Sequence, residues 1–341
     1  MRIVITGGHG FLGNAVAREL LQRGSFDGRP IDQLVLADRM APDPDPFADD
    51  ERVTTVVGDL TDTIDELFAE PVDVLFHLAA AVSGESERDF DLGMHANVDV
   101  TRAVLTACRA QQQAGGPLVR LFFASSLAVY GSDDALPLAA TIDETQLPMP
   151  QGSYGAQKAI CEYLVNDHTR KGFLDGRVAR LMTVCVRPGR PNAAASSFVS
   201  GIIREPLAGE QAICPVEPEL PVLLASPRRT VEGILTLAEA TRGDGPGELT
   251  GRLPVNLPGL RVTVGEMVAA LRRIAGDEVA DRVVVQPDDT IRALVLTWPR
   301  DADNSRAATL GLEPDPDVDT VIEQYIADHP EAIAGSDDEA R

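Results

Sequence analysis

The sequence predicts an α/β fold, a doubly wound parallel sheet carrying a small C-terminal cap. Three observations predict it. A β-branched run, "RIVIT", leads through a glycine-rich turn into the amphipathic "NAVARELLQRG". Strand-like runs then alternate with amphipathic stretches, which is the pattern of parallel strands joined by helices on both faces. After Pro191 the alternation loosens into small residues and prolines, as in "NAAASSFVSGIIREPLAG" and "EQAICPVEPELPVLLASPRRTVEGIL".

The first turn reads Thr6-Gly7-Gly8-His9-Gly10-Phe11-Leu12-Gly13. Glycines at 7, 10 and 13 permit a tight turn, close backbone approach to a pyrophosphate and close packing of helix on strand, and the helix N-terminus presents its positive dipole end to the phosphates. In this strand-turn-helix setting the spacing indicates a Rossmann dinucleotide-binding unit. The second strand, "QLVLAD", ends in Asp38, an acceptor for an adenosine ribose and a repeller of a 2′-phosphate. NAD is therefore expected over NADP, although the adjacent Arg39 would tolerate a phosphate. "SFDGRPID", read as a long loop, accounts for the late position of Asp38.

Further strands are expected at "RVTTVVGD", "VDVLFHLAA", "VRLFFASS" and "VARLMTVCVRP", with helices at "TIDELFAE" and "HANVDVTRAVLTACRAQQQ". The NAD-binding domain is assigned to 1–186, with segments returning from the second half. A substrate-binding cap is assigned to 187–330, containing the amphipathic "VTVGEMVAALRRIAG" and a last helix at "DTVIEQYIADH". Residues 331–341 are expected to be a disordered tail.

"SYGAQKAICEYL" places Tyr154 and Lys158 one helical turn apart on one face. Both titrate near pH ~10 in isolation. An ammonium beside a phenol favours phenolate and lowers the tyrosine's pKa towards neutrality. The phenolate can then take a proton from an alcohol while hydride leaves the same carbon for nicotinamide. Ser126, at the end of "FFASS", would hold the substrate oxygen, since ligands bind outside the carboxyl ends of parallel strands. Lys158 and Lys171 are the only lysines in the chain, which argues against a decorative one.

The formal charge of -23 argues against a nucleic-acid or anionic-membrane partner. No apolar run approaches the roughly 20 residues that span a bilayer. The start of the chain has no signal-peptide pattern, so a cytoplasmic protein is expected. Cys108, Cys161, Cys185 and Cys214 have no metal or disulfide spacing and are expected to be free thiols; no metal is predicted.

Together T-G-x-x-G-x-x-G, Asp59-Leu60, "HLAA" at 77–80, Asn97, "SSLAVYG" and Y-x-x-x-K resemble the extended short-chain dehydrogenase/reductase family of NAD-dependent epimerases and dehydratases. The resemblance implies that Asp59 and Leu60 flank the adenine and that Ala79 and Ala80 lie along the cofactor. It implies that Asn97 supports the active-site water network and that Lys158 also bonds the nicotinamide ribose. "VRPGRPN", with Pro188, matches the segment passing the nicotinamide carboxamide. "DADNSRAATLGLEPD" matches a late family element.

Nucleotide-sugar enzymes are the default within that family, and they carry an N-x-Y-G-P-like element. The stretch R-P-G-R-P-N-A-A-A departs from it and, with "SSFVSGIIREPLAGE" and "LASPRRTVEGI", resembles a branch that oxidises a small, D-erythronate-like sugar acid at its 2-hydroxyl to the 2-oxo acid with NAD. A carboxylate substrate needs a cationic anchor, and Arg187, Arg190, Arg228 and Arg229 are the candidates, guanidinium binding carboxylate through paired hydrogen bonds. Ser83 and Ser125 are candidates to hold hydroxyls. The alternatives are a nucleotide-sugar epimerase or dehydratase with tightly held NAD, and a non-catalytic NAD-binding sensor. By analogy with the family, the helices at 89–113 and 154–171 would pair between the subunits of a homodimer.

Overall fold

The computed structural model describes residues 1–189, 194 and 196–334. Seven strands form one parallel sheet: β1 Arg2–Thr6, β2 Gln33–Asp38, β3 Val53–Val57, β4 Val74–His77, β5 Arg120–Ser126, β6 Asp175–Leu181 and β7 Val255–Asn256. Their order is β7-β6-β5-β4-β1-β2-β3. The register sets Ile3 of β1 between Leu34 of β2 and Val74 of β4. The central strands read as continuous apolar runs because both faces are covered, and Ile3, Val4 and Ile5 are wholly buried. The strand order reverses between β1 and β4, and the switch point opens a crevice at the carboxyl ends.

Helices α1 Phe11–Arg23, α2 Leu60–Leu67, α3 Val100–Gln113 and α4 Ser153–Arg170 make the crossovers. α1 stops at Gly24, whose left-handed φ of 65° lets its N–H reach the Leu20 carbonyl. α3 is preceded by a wider-wound stretch at Met94–Asp99, which brings Asn97 inward. The long loop expected before β2 contains a short hairpin, Ser25–Phe26 with Arg29–Pro30, and Phe26 is driven into the core under β1.

The second half does not form a separate block. Helix α6, Pro227–Glu239, packs through Ile234, Leu235 and Leu237 into the same core as β1 and β2, and β7 extends the sheet beside β6. The rest builds a second core around α5 Ser197–Leu207, α7 Val264–Ala275 and α9 Val318–Asp328, with α8 Asp289–Val295 alongside. Thr183–Val184, Pro221–Ala225 and Leu260–Thr263 form a small sheet there, and Ala212–Cys214 pairs with Val283–Val285. Past α9 the chain stays tied down through a turn at Pro330–Ala332, and the Ala334 N–H donates to the Leu207 carbonyl at 2.8 Å. This order runs into the segment expected as a tail; residues 335–341 lie outside the described residues. No described helix is long and apolar enough to cross a membrane.

Candidate active site

A cavity of about 930 Å³ follows the carboxyl edge of the sheet, from the glycine turn at one end to the second core at the other. At the first end Gly7 adopts a left-handed φ of 71°, and a side chain on Gly13 would place its Cβ 2.0 Å from the Gly7 carbonyl oxygen. Such an approach is open to glycine alone. The Gly10 N–H donates to the Gly7 carbonyl at 3.1 Å, and α1 begins at Phe11 with its first N–H groups towards the cavity. Gly7, Gly10, Phe11, Leu12 and Gly13 all line it. This cradle, a tight glycine turn set against the N-terminus of α1, fits the pyrophosphate of a dinucleotide.

Asp38 and Arg39 line the same end. The Asp38 carboxylate accepts the His9 N–H at 3.0 Å and the Arg39 N–H at 2.8 Å, so it also shapes the glycine turn. Asp59 caps α2, accepting from the Thr61 N–H and hydroxyl, and with His95 alongside its pKa falls to about 2. Asp59, Leu60, Ala79 and Ala80 are on the cavity wall. The floor between β1 and β4 is locked by His77, buried between the hydroxyls of Thr6 (2.6 Å) and Thr101 (3.0 Å). Thr101 donates its own proton to the Asn97 carbonyl, so it accepts from His77 Nε2–H while Nδ1 accepts from Thr6. Burial holds this imidazole neutral, its pKa lowered to about 3, with the Lys158 charge adding to the effect.

Two expected cofactor residues stand elsewhere. Asn97 is 2% exposed and does not reach the wall; its Oδ1 accepts the Ala81 N–H at 2.9 Å and its Nδ2 donates to Gln157 at 2.7 Å, bracing the wall from behind. Pro188 is not on the wall, although its neighbour Arg187 is.

Ser126, Tyr154 and Lys158 meet at the middle of the cavity. Ser126 ends β5, and its Oγ accepts the Ala128 N–H at 3.1 Å. Tyr154 and Lys158 start α4, whose first turn approaches so closely that Gly155 packs on the Ala128 carbonyl. The Lys158 ammonium donates to the Ala124 carbonyl at 2.8 Å and lies 4.8 Å from the Phe123 ring centroid and 5.7 Å from that of Tyr154. Burial lowers its pKa to about 8, with Cys161 and Glu162 pulling the other way. The Tyr154 phenol differs from expectation. Burial pushes its pKa up, and what offsets burial is the Arg187 charge and hydrogen bonding with Ser126 rather than Lys158. The expected lowering is therefore absent: burial outweighs both influences, and the Lys158 ammonium donates to a backbone carbonyl.

The four candidate arginines separate. Arg187 lines the cavity half-buried, its Nε donates to the Val184 carbonyl at 3.2 Å, and it has no carboxylate partner among the described residues. Arg228 is 54% exposed and forks onto Asp328, while Arg229 pairs with Glu232 at 2.8 Å. Neither lines the cavity; at the start of α6, which Ser226 caps, each is held by its carboxylate partner. Arg190 lies outside the described residues. Ser83 is on the wall. Ser125 is too, but its hydroxyl donates to Glu162 at 2.5 Å and its proton is committed there. Wall residues not singled out from the sequence include Arg88, on the short helix Ser83–Arg88, and Trp298, just beyond α8. Neither sits in a motif. Among the described residues no cluster of His, Cys, Asp or Glu is set to hold a metal, and the four cysteines are buried free thiols.

A nucleotide cradle, a Ser-Tyr-Lys constellation and a seven-stranded parallel sheet define a dehydrogenase-type nucleotide enzyme. The NAD dependent epimerase/dehydratase family matches residues 3–225, and the chain belongs to that family. It is 49% identical to D-erythronate dehydrogenase of Cupriavidus necator, over 96% of this chain and 98% of that one. Against D-erythronate dehydrogenase of Haemophilus influenzae the identity is 42%, over 96% and 99%. The solved nucleoside-diphosphate-sugar epimerase of Agrobacterium tumefaciens superposes with a TM-score of 0.89 at 37% identity, over 97% and 95% of the two chains. L-threonine 3-dehydrogenase of Trypanosoma brucei, at 22% identity and a TM-score of 0.82, shares the fold. The chain is thus an NAD-dependent dehydrogenase.

Proposed function

We propose that the protein oxidises a small D-erythronate-like sugar acid at its 2-hydroxyl to the 2-oxo acid. The observation carrying this reading is Arg187, a half-buried cavity guanidinium without a carboxylate partner among the described residues and close enough to Tyr154 for each charge to act on the other. A cation next to the proton acceptor suits a substrate whose carboxylate is one bond from the reacting carbon. A nucleotide sugar carries its phosphates on the far side of a sugar ring, away from a 4-position under attack. The full-length similarity to two D-erythronate dehydrogenases supports the same substrate class.

In this reading Arg187 clamps the carboxylate through parallel N–H bonds. Ser126 holds the 2-hydroxyl oxygen, and Tyr154 takes its proton as general base. The Arg187 charge favours the phenolate, and Lys158 adds to it when the ammonium leaves the Ala124 carbonyl. Bound NAD supplies the hydride acceptor. Gly7, Gly10 and Gly13 hold its pyrophosphate, Asp38 its ribose, and Asp59 with Leu60 its adenine. Ser83 lies where it can meet a substrate hydroxyl.

A spectrophotometric screen of four- and five-carbon aldonic acids with NAD and NADP tests the reading. NADH production with D-erythronate supports it. Silence with every acid, together with interconversion of a nucleotide sugar, would sink it.

A further inference from the structure

From the wall residues Ser125 and Tyr130 a continuous chain of buried side-chain bonds runs inward, which the reaction as described does not use. The Glu162 carboxylate accepts from Ser125 Oγ at 2.5 Å and from Arg180 through a two-point fork, Nε at 2.9 Å and Nη2 at 2.6 Å. Arg180 Nη1 donates to the Tyr130 hydroxyl at 2.5 Å, and that hydroxyl donates to Asn256 Oδ1 at 3.0 Å. Ser125, Glu162, Arg180, Tyr130 and Asn256 are all at most 3% exposed. The chain joins the ends of β5 and β6, the middle of α4, and β7.

Stability alone does not account for it, since a buried ion pair is often no more stable than apolar residues of like volume. Its placement does suggest a use. Ser125 immediately precedes Ser126, and Glu162 is one helical turn beyond Lys158, on the same face of α4. We propose that the Glu162–Arg180 pair is a positioning device for the site: it fixes the Ser125–Ser126 strand end and keeps a carboxylate one turn from the Lys158 ammonium. The proposal rests on the reading of Ser126 and Lys158 as working groups.

The groups facing Lys158 leave Glu162 this task. β4 contributes His77, neutral, and β5 contributes the Ala124 carbonyl and the Phe123 ring. From α4 itself come Tyr154, whose phenol burial pushes up, Cys161, whose thiol burial also pushes up, and Glu162. Of these Glu162 is the carboxylate, paired with Arg180 behind it.

Three chains test the pair: wild type, Glu162→Gln, and Glu162→Gln with Arg180→Met, which removes both charges together and holds if the single variant fails to fold. NAD affinity is followed against pH by calorimetry, which needs no substrate, alongside Tm and kcat. The paired variant is expected to keep Tm within about 4 °C of wild type. Its NAD affinity should begin to fall with rising pH about one unit earlier, as Lys158 loses its nearby anion. Its kcat should drop roughly 10- to 100-fold from misplacement of Ser126. Recovery of the wild-type pH dependence and kcat together with Tm would overturn the proposal and leave the pair as packing. Near-normal turnover in Tyr154→Phe would instead remove the triad reading beneath it, so the two fail separately.

Discussion

The Lys158 ammonium donates to the Ala124 carbonyl at 2.8 Å and faces the Tyr154 ring centroid at 5.7 Å. The phenol is left to Arg187 and Ser126, which act against the upward push of burial. Tyr154 thus meets the Arg187 charge and the Ser126 hydroxyl at the middle of the cavity.

Tyr154→Phe should therefore remove proton transfer while leaving the cradle at Gly7–Gly13 intact. Turnover is expected to fall about 100- to 10,000-fold, with NAD affinity changed little. Steady-state kinetics at saturating NAD and a calorimetric titration read the two effects; turnover near wild type would defeat the assignment of the base.

Changing Arg187 to Met should lower kcat/KM for an acid substrate by roughly 10- to 150-fold, the range for a lost hydrogen bond to a charged group. Arg228→Met and Arg229→Met should leave it unchanged, because those side chains are paired at the surface with Asp328 and Glu232. Kinetics on the three variants settle the order, and an effect confined to the surface pair would move the anchor away from Tyr154.

Asp38→Ala should weaken NAD binding and narrow the preference over NADP, as an acceptor and an anionic repeller disappear together. The His9 N–H also loses its partner, so the glycine turn should loosen. The ratio of kcat/KM for the two cofactors is the readout, and an unchanged ratio would shift the determinant to Arg39.

His77 makes the fold acid-sensitive in a defined window. Its folded pKa, about 3, lies below the unfolded value near 6.5, so between those limits the unfolded chain binds a proton that the folded chain refuses. Stability is thus lost as pH falls from about 6.5 towards 3, by about 1.4 kcal/mol per unit once well inside the window. Urea unfolding of wild type and His77→Gln at pH 7 and pH 5 should show the wild-type advantage shrinking by roughly 2 kcal/mol. A constant difference would mean that His77 titrates in the fold as it does in the unfolded chain.

The NAD-binding half was legible because its signals are local. The glycines of the first turn, Asp38 at a strand end and the Tyr154–Lys158 spacing each follow from a few adjacent residues. The substrate side was less legible because its geometry is decided by tertiary packing. Nothing in "SPRRT" tells that Arg228 and Arg229 pair with Asp328 and Glu232 rather than line the cavity, and β7 is only Val255–Asn256, too short for a strand pattern. Arg88 and Trp298 reach the wall from a short helix and a loop without motif. The lowered phenol pKa was expected from spacing alone, but burial at the cavity's middle, which spacing does not show, pushes it up.

The position of oxidation is the centre of the account, and D-erythronate carrying deuterium at C2 tests it directly. With wild-type protein and NAD, the account predicts deuterium in the reduced nicotinamide and a 2-oxo product. Reduced nicotinamide free of deuterium, with the label still on the acid, would place the chemistry at another carbon and contradict the pairing of Tyr154 with an Arg187-bound carboxylate.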